Sequence, residues 1–237
     1  MDGVVVGMEY EIRYKPSYSM VVLRLKDGES VVGESGAMTY MSPNIEAKTR
    51  SRSGVLGSLG LKLLGGQSFW VNDFTARGGP GEVAFVSAPI GDIEHLRLDG
   101  SNGWIIRRES YVASSPTVDL DVKWEGFTKG LFGQGLFMIR ASGVGDLFIN
   151  TFGAIDRHVL GPNEQLVVDN FHLVAFNNTC TYRVEKFGGL KETLLSGEGL
   201  VTRITGPGEV LLQTKNPREF ADWIWTLIQP MVQSRAR

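Results

Sequence analysis

Apolar and polar positions along this chain change places over short runs, the signature of strands with one buried face rather than of long helices. The first strand candidates are Glu9 to Tyr14 and Met20 to Leu25, followed by a turn at Lys26-Asp27-Gly28-Glu29, a strand opening at Val31 and Val32, and a continuation over Gly36 to Met41. Further on, Gly197-Glu198-Gly199-Leu200-Val201-Thr202-Arg203-Ile204-Thr205 leads through Gly206-Pro207-Gly208 to Glu209-Val210. A β-branched run entering and leaving a Gly-Pro-Gly turn predicts a β-hairpin. The phrase has two earlier counterparts, from Gly66-Gln67-Ser68-Phe69-Trp70 to Gly79-Pro80-Gly81 and from Gly133-Gln134-Gly135-Leu136-Phe137 to Gly143-Val144-Gly145.

Other stretches repeat with it. Trp104-Ile105-Ile106 and Tyr111-Val112-Ala113-Ser114-Ser115-Pro116 match Leu166-Val167-Val168 and Leu173-Val174-Ala175-Phe176-Asn177-Asn178 at an offset of 62. Pro43 and Pro116 relate the first, longest copy to the second. Spacing held through several motifs marks an internal repeat. A unit of about 60 residues is marginal alone, so the copies are expected to bury a common core. The fold predicted is all-β: three tandem β-sandwich-like repeats in a pseudo-threefold arrangement, plus a C-terminal α-helix. The divisions are 1–82, 83–145, 146–215 and 216–237. A continuous sandwich or barrel is the other arrangement open to this pattern. Glycine-rich apolar segments at 54–65, 126–133 and 188–195 separate the halves of each unit and read as short helical turns or loops.

The periodicity changes at the tail. Asn216-Pro217-Arg218-Glu219 has an N-cap, a proline at the first helical position and an acid at the third. Phe220, Trp223, Ile224, Leu227 and Ile228 then form one apolar stripe. Docked on the body, that stripe would contribute about 8–15 kcal/mol gross. Docking is the simpler expectation. The other is a membrane-surface or partner-binding helix, since Trp225 widens the arc and Arg235 and Arg237 follow. Pro230 is expected to end or kink the helix.

Composition narrows the chemistry. The chain has 237 residues, 30 of them glycine, and a net charge of −2, which supplies no global field toward nucleic acid. Its single cysteine, Cys180, excludes an internal disulfide and reads as a small buried side chain in a reducing compartment. No signal-peptide pattern or bilayer-length apolar run is present, so a soluble, cytoplasmic protein is expected.

No phosphate-loop or nucleophile-elbow motif occurs, and Gly130-Leu131-Phe132-Gly133-Gln134-Gly135 reads as turn geometry. His95, His158 and His172 lack metal-ligand spacing, so surface or strand histidines are the default. Asp119 and Asp121 share a strand face, a pairing that suits acid–base chemistry but also an ordinary solvated face. Lys48, Arg50 and Arg52 also alternate, and three cations on one side could hold phosphate or protect an edge strand from aggregation. They are the candidate binding residues. No catalytic residue, metal or cofactor is assigned.

Several motifs together resemble the altered inheritance of mitochondria protein 24 family, also catalogued as a domain of unknown function. They are Gly33-Glu34-Ser35-Gly36-Ala37-Met38, Gly78-Gly79-Pro80-Gly81-Glu82, Lys129-Gly130-Leu131-Phe132-Gly133, Gly153-Ala154-Ile155, Leu166-Val167-Val168-Asp169-Asn170 with His172-Leu173-Val174-Ala175-Phe176, and Ser196-Gly197-Glu198-Gly199-Leu200. The resemblance runs from about Gly33 to the end. It implies a β-rich fold similar to the tryptophan RNA-binding attenuation protein, repeated within one chain. The family's mitochondrial branch is associated with inner-membrane organisation; without a presequence, this chain reads as a prokaryotic-type member. The family brings no catalytic residues to carry over. The expected function is a non-enzymatic scaffold or interaction protein that self-associates, with a protein or membrane surface as further partner. An RNA- or small-ligand-binding module is the alternative, although nucleic acid is not the expected partner. An enzyme with a site between units ranks third.

Overall fold

The structure, a computed structural model, describes residues 7–51, 69–86, 89–125, 136–187 and 200–235. The described residues are mainly β-strand, with a single long helix at the C-terminal end. After β1 (Glu9–Arg13), the strands fall into three groups with one pairing scheme. The first group is β2 (Met20–Leu25), β3 (Ser30–Glu34), β4 (Met38–Met41), β5 (Ile45–Ser51), β6 (Trp70–Ala76) and β7 (Gly81–Val86). The second is β8 (Ile93–Asp99), β9 (Trp104–Arg107), β10 (Tyr111–Ser114), β11 (Val118–Glu125) and the long β12 (Leu136–Asn150), which fills the fifth and sixth places. The third is β13 (Ile155–Leu160), β14 (Gln165–Asp169), β15 (Leu173–Asn177), β16 (Thr181–Lys186), β17 (Leu200–Thr205) and β18 (Gly208–Gln213).

In each group the sixth place pairs with the first and third strands, and the fifth place with the second and fourth. All these ladders are antiparallel. The third strand carries a bulge at the same point each time, between Met38 and Tyr40, Tyr111 and Ala113, and Leu173 and Ala175. Neighbouring groups are joined by a ladder between the second strand of one and the third strand of the next: β3 with β10, and β9 with β15. Among the described residues no ladder joins β4 to β14. The junctions read from the sequence at 82/83 and 145/146 lie inside β7 and β12.

Three apolar clusters follow in series. Alternate residues of a joined sheet go to different clusters, because successive side chains of a strand point to opposite faces. Val31, Phe74 and Phe85 lie in one cluster, while Val32, Val71 and Tyr111 lie in the next. Leu173 and Phe176 face the third cluster, while Val174 and Ala175 face the middle one. Both faces of each joined sheet are therefore buried.

The glycine-rich phrases are not hairpins. β17 and β18 do not pair with each other, nor do β6 and β7, and β12 runs straight through Gly143-Val144-Gly145. Each phrase is a corner at which the chain leaves one sheet and enters the other. Side-chain alternation is the same for a hairpin and a corner, so the pattern alone does not separate them. At the third corner Gly208 has φ +150°, and a Cβ there would lie 2.6 Å from Cys180 Sγ. The predicted apolar segments at 54–65, 126–133 and 188–195, and the phrase-opening Gly66, Gly133 and Gly197, lie outside the described residues.

Helix α1 spans Pro217–Arg235 and starts as predicted. Buried Asn216 caps it, its Oδ1 accepting from the N–H groups of Arg218 at 2.9 Å and Glu219 at 3.3 Å. Pro230 does not end it: the helix continues to Arg235. The carbonyl that loses its partner to Pro230 belongs to exposed Thr226, where water can satisfy it.

Candidate functional site

The apolar stripe of α1 is largely open rather than packed on the body: Phe220, Trp223, Leu227 and Ile228 are 42, 56, 51 and 41% exposed, and Ile224 is half-buried. The expectation of a helix packed outside the sheets is thereby corrected. Spacing established that the helix has an apolar face, but it carried no information about what covers that face.

The base of α1 is fixed by aromatic contacts. The Phe220 ring meets Phe152 edge-on at 5.1 Å and Trp223 at 5.8 Å. Gln213, buried beneath, accepts from Phe152 N–H at 2.9 Å and donates to the Phe171 carbonyl at 2.7 Å. His172 Nδ1 donates to the Gln213 carbonyl at 2.7 Å. The Arg107 and Arg218 guanidinium groups lie 5.7 and 5.8 Å from the Phe171 ring centre. Beside this base is an open groove of about 640 Å³, lined by Phe152, Phe220, Trp223, Tyr18 and Ile90 and also by Lys215, Asn216 and Glu219. Its aromatic side chains suit it to covering another apolar surface.

Two of the three candidate cations lie among the described residues. Lys48 lies exposed on β5, at the end of the sheet order. Arg50 is a two-point partner of Asp73 on β6, with Nε–Oδ2 at 2.5 Å and Nη2–Oδ1 at 2.8 Å. That bond raises its pKa further and neutralises its charge locally. Arg52 lies outside the described residues. Asp119 and Asp121 sit on the exposed face of β11 opposite Ser142 and Arg140. Cys180 is buried, and burial pushes its thiol pKa up.

The histidines separate. His158 bonds exposed Asp156 at 3.0 Å, and His172 serves the helix base. His95 belongs to a cluster that the sequence did not reveal. Its Nδ1 lies 2.8 Å from the Tyr10 hydroxyl, and its Nε2 lies 2.8 Å from Asp146 Oδ1. Asp146 is buried. Burial alone would raise its pKa, but bonds from His95, Met8 N–H at 2.7 Å and Arg97 at 2.6 Å hold it down at about 2. Tyr10 is pushed above its ordinary value, first by burial and then by the Asp146 charge. The row ties β1 to the second group through side-chain hydrogen bonds. With 85 residues between Tyr10 and His95 and 51 between His95 and Asp146, no spacing rule could have found it. A second perturbed carboxyl, Glu34 at the end of β3, is pushed up to about 7 by burial, an effect Arg108 partly offsets.

Comparison with known proteins places these features in a family. The family model described as Mitochondrial biogenesis AIM24 matches residues 10–215. An uncharacterised protein, M6_Spy0233 of Streptococcus pyogenes serotype M6, is 27% identical over 222 residues, covering 90% of this chain and 88% of that protein. The crystal structure of protein SPYM3_0169 from Streptococcus pyogenes superposes with a TM-score of 0.76 at 25% identity, covering 93% of this chain and 99% of that one.

Proposed function

The chain belongs to the mitochondrial biogenesis AIM24 family, and from that premise we propose that it is a non-enzymatic scaffold that self-associates and carries α1 as an arm for an apolar partner surface. The observation carrying this reading is the run of exposed large apolar side chains on α1, from Phe220 to Val232. An uncovered row of large apolar side chains is costly in water, and such patches mark interaction surfaces. Trp223 and Trp225 favour a membrane interface as the surface covered, since indole rings settle at the boundary between apolar and wet layers.

Two measurements test the reading. Sedimentation of the full chain should give a mass above that of one chain. Flotation with vesicles of anionic and zwitterionic lipid should carry the full chain upward and leave behind a chain ending at Asn216. A single-chain mass at every concentration, with no vesicle or protein partner retained, would end the proposal. RNA binding through Lys48, Arg50 and Arg52 loses support from the Arg50–Asp73 pair. Such binding would weaken steeply with salt.

A further inference from the structure

The ladders leave two strands unused. Each join between groups takes the second strand of one group and the third strand of the next, as in β3 with β10 and β9 with β15. That accounting leaves the third strand of the first group, β4, and the second strand of the third group, β14. β4 pairs only with β7 and β14 only with β17 among the described residues, so each has a free edge. Their counterparts are buried: every residue of β10 is, and so are the first four of β15. Where the partner is missing, Met38, Met41 and Val167 are 39, 37 and 42% exposed.

We propose that β4 of one copy pairs antiparallel with β14 of a second copy, building between chains the join that is built twice within one. This inference rests on the self-association half of the proposed function and names its surface. Lengths agree: β4 has 4 residues and β14 has 5, as β10 and β3 do. The register follows as well. The shared bulge places Tyr40 and Met41 where Ala113 and Ser114, and Ala175 and Phe176, stand. Those pairs face Gly33 and Val32, and Ile106 and Ile105. The 62-residue offset puts Val168 and Val167 in the places of Ile106 and Ile105. Tyr40 therefore faces Val168, and Met41 faces Val167, of the second copy. The contact adds the three strands β14, β17 and β16 to the four of β1, β2, β7 and β4.

Each copy offers one strand of each kind, so the contact is head-to-tail. It ends in a closed ring when the rotation closes and in an open chain when it does not. Unpaired edges invite such additions, because each presents a row of unused backbone donors and acceptors.

The test mixes two single variants of the full chain, Met41→Cys and Val167→Cys, under a mild oxidant. Directly opposed residues on paired strands are spaced for a disulfide. The mixture is expected to give at least a tenfold higher yield of linked dimer than either variant alone. In a second measurement, Met41→Lys should shift sedimentation toward the single chain and leave the far-ultraviolet circular dichroism of the folded chain unchanged. Linked dimers from one variant alone would mean like-with-like pairing and would overturn the proposal. So would an unlinked mixture with an unchanged Met41→Lys mass while the wild type assembles, an outcome that spares self-association. A wild type that is a single chain throughout removes both readings.

Discussion

The strands β10 and β4 hold the same place in two successive groups and have the same bulge, yet one is buried throughout and the other is largely exposed. What separates them is a neighbour. β10 has β3 on its far side, and β4 has nothing there among the described residues. The same contrast holds for β9 and β14. Burial in this fold is thus a property of the join, not of the strand. The joins should carry much of the stability, while the free edges stay available for assembly.

That contrast can be broken at several points. The largest effect is expected from Phe85→Ala. Phe85 is fully buried, its ring occupying the space where a Gly33 side chain would stand beside the β3–β10 join. Urea titration should show a loss of about 3–5 kcal/mol. The corresponding change at the free edge, Met41→Ala, should stay within about 0.5 kcal/mol for the single chain. Equal losses at both would erase the distinction between join and edge.

Next come two opposed pH effects. The Asp146 pKa is lowered in the folded state, from 3.8 to about 2, so its contribution is complete above pH 3.8 and is lost as pH falls through 2. Linkage makes this roughly 2 kcal/mol, and Asp146→Asn should flatten the acid limb of a stability–pH curve. The Glu34 pKa is raised, from 4.5 to about 7, so the folded state prefers the protonated acid. Stability should therefore fall as pH rises from 4.5 to 7, by about 1–3 kcal/mol after allowance for partial exposure. Glu34→Gln should remove that slope; a slope that survives would relieve Glu34 of the role.

Gly208→Ala tests the corner between β17 and β18, since it meets both a positive φ and Cys180 Sγ. A loss above about 1 kcal/mol is expected in denaturant titration. Gly28→Ala should cost less, because no atom lies within 4 Å of the added Cβ. The smallest effect belongs to the outermost strand, β5. Arg50→Ala breaks a half-exposed pair with Asp73 and should cost at most about 1 kcal/mol in the same titration.

Some of this was open to inspection in the residues themselves. Short β-prone apolar runs at Met20–Leu25 and Leu173–Asn177 gave strands, and Asn216-Pro217-Arg218-Glu219 gave the helix start, because propensity and capping act between residues a few positions apart. The recurrence of Trp104-Ile105-Ile106 as Leu166-Val167-Val168 marked equivalent strands for the same reason. Family membership was legible too, since it rests on residues in order along the chain. Which strands meet was not. Gly206-Pro207-Gly208 serves a hairpin or a corner equally well, and only the pairing of β17 and β18 with other strands distinguished them. Tyr10, His95 and Asp146 became neighbours through the stacking of sheets, which no local period encodes. The amino acids of α1 determined that it would be a helix with an apolar face; the tertiary structure decided that most of that face stays exposed. Local propensity acts over a few residues, whereas burial depends on every surface that reaches the same place.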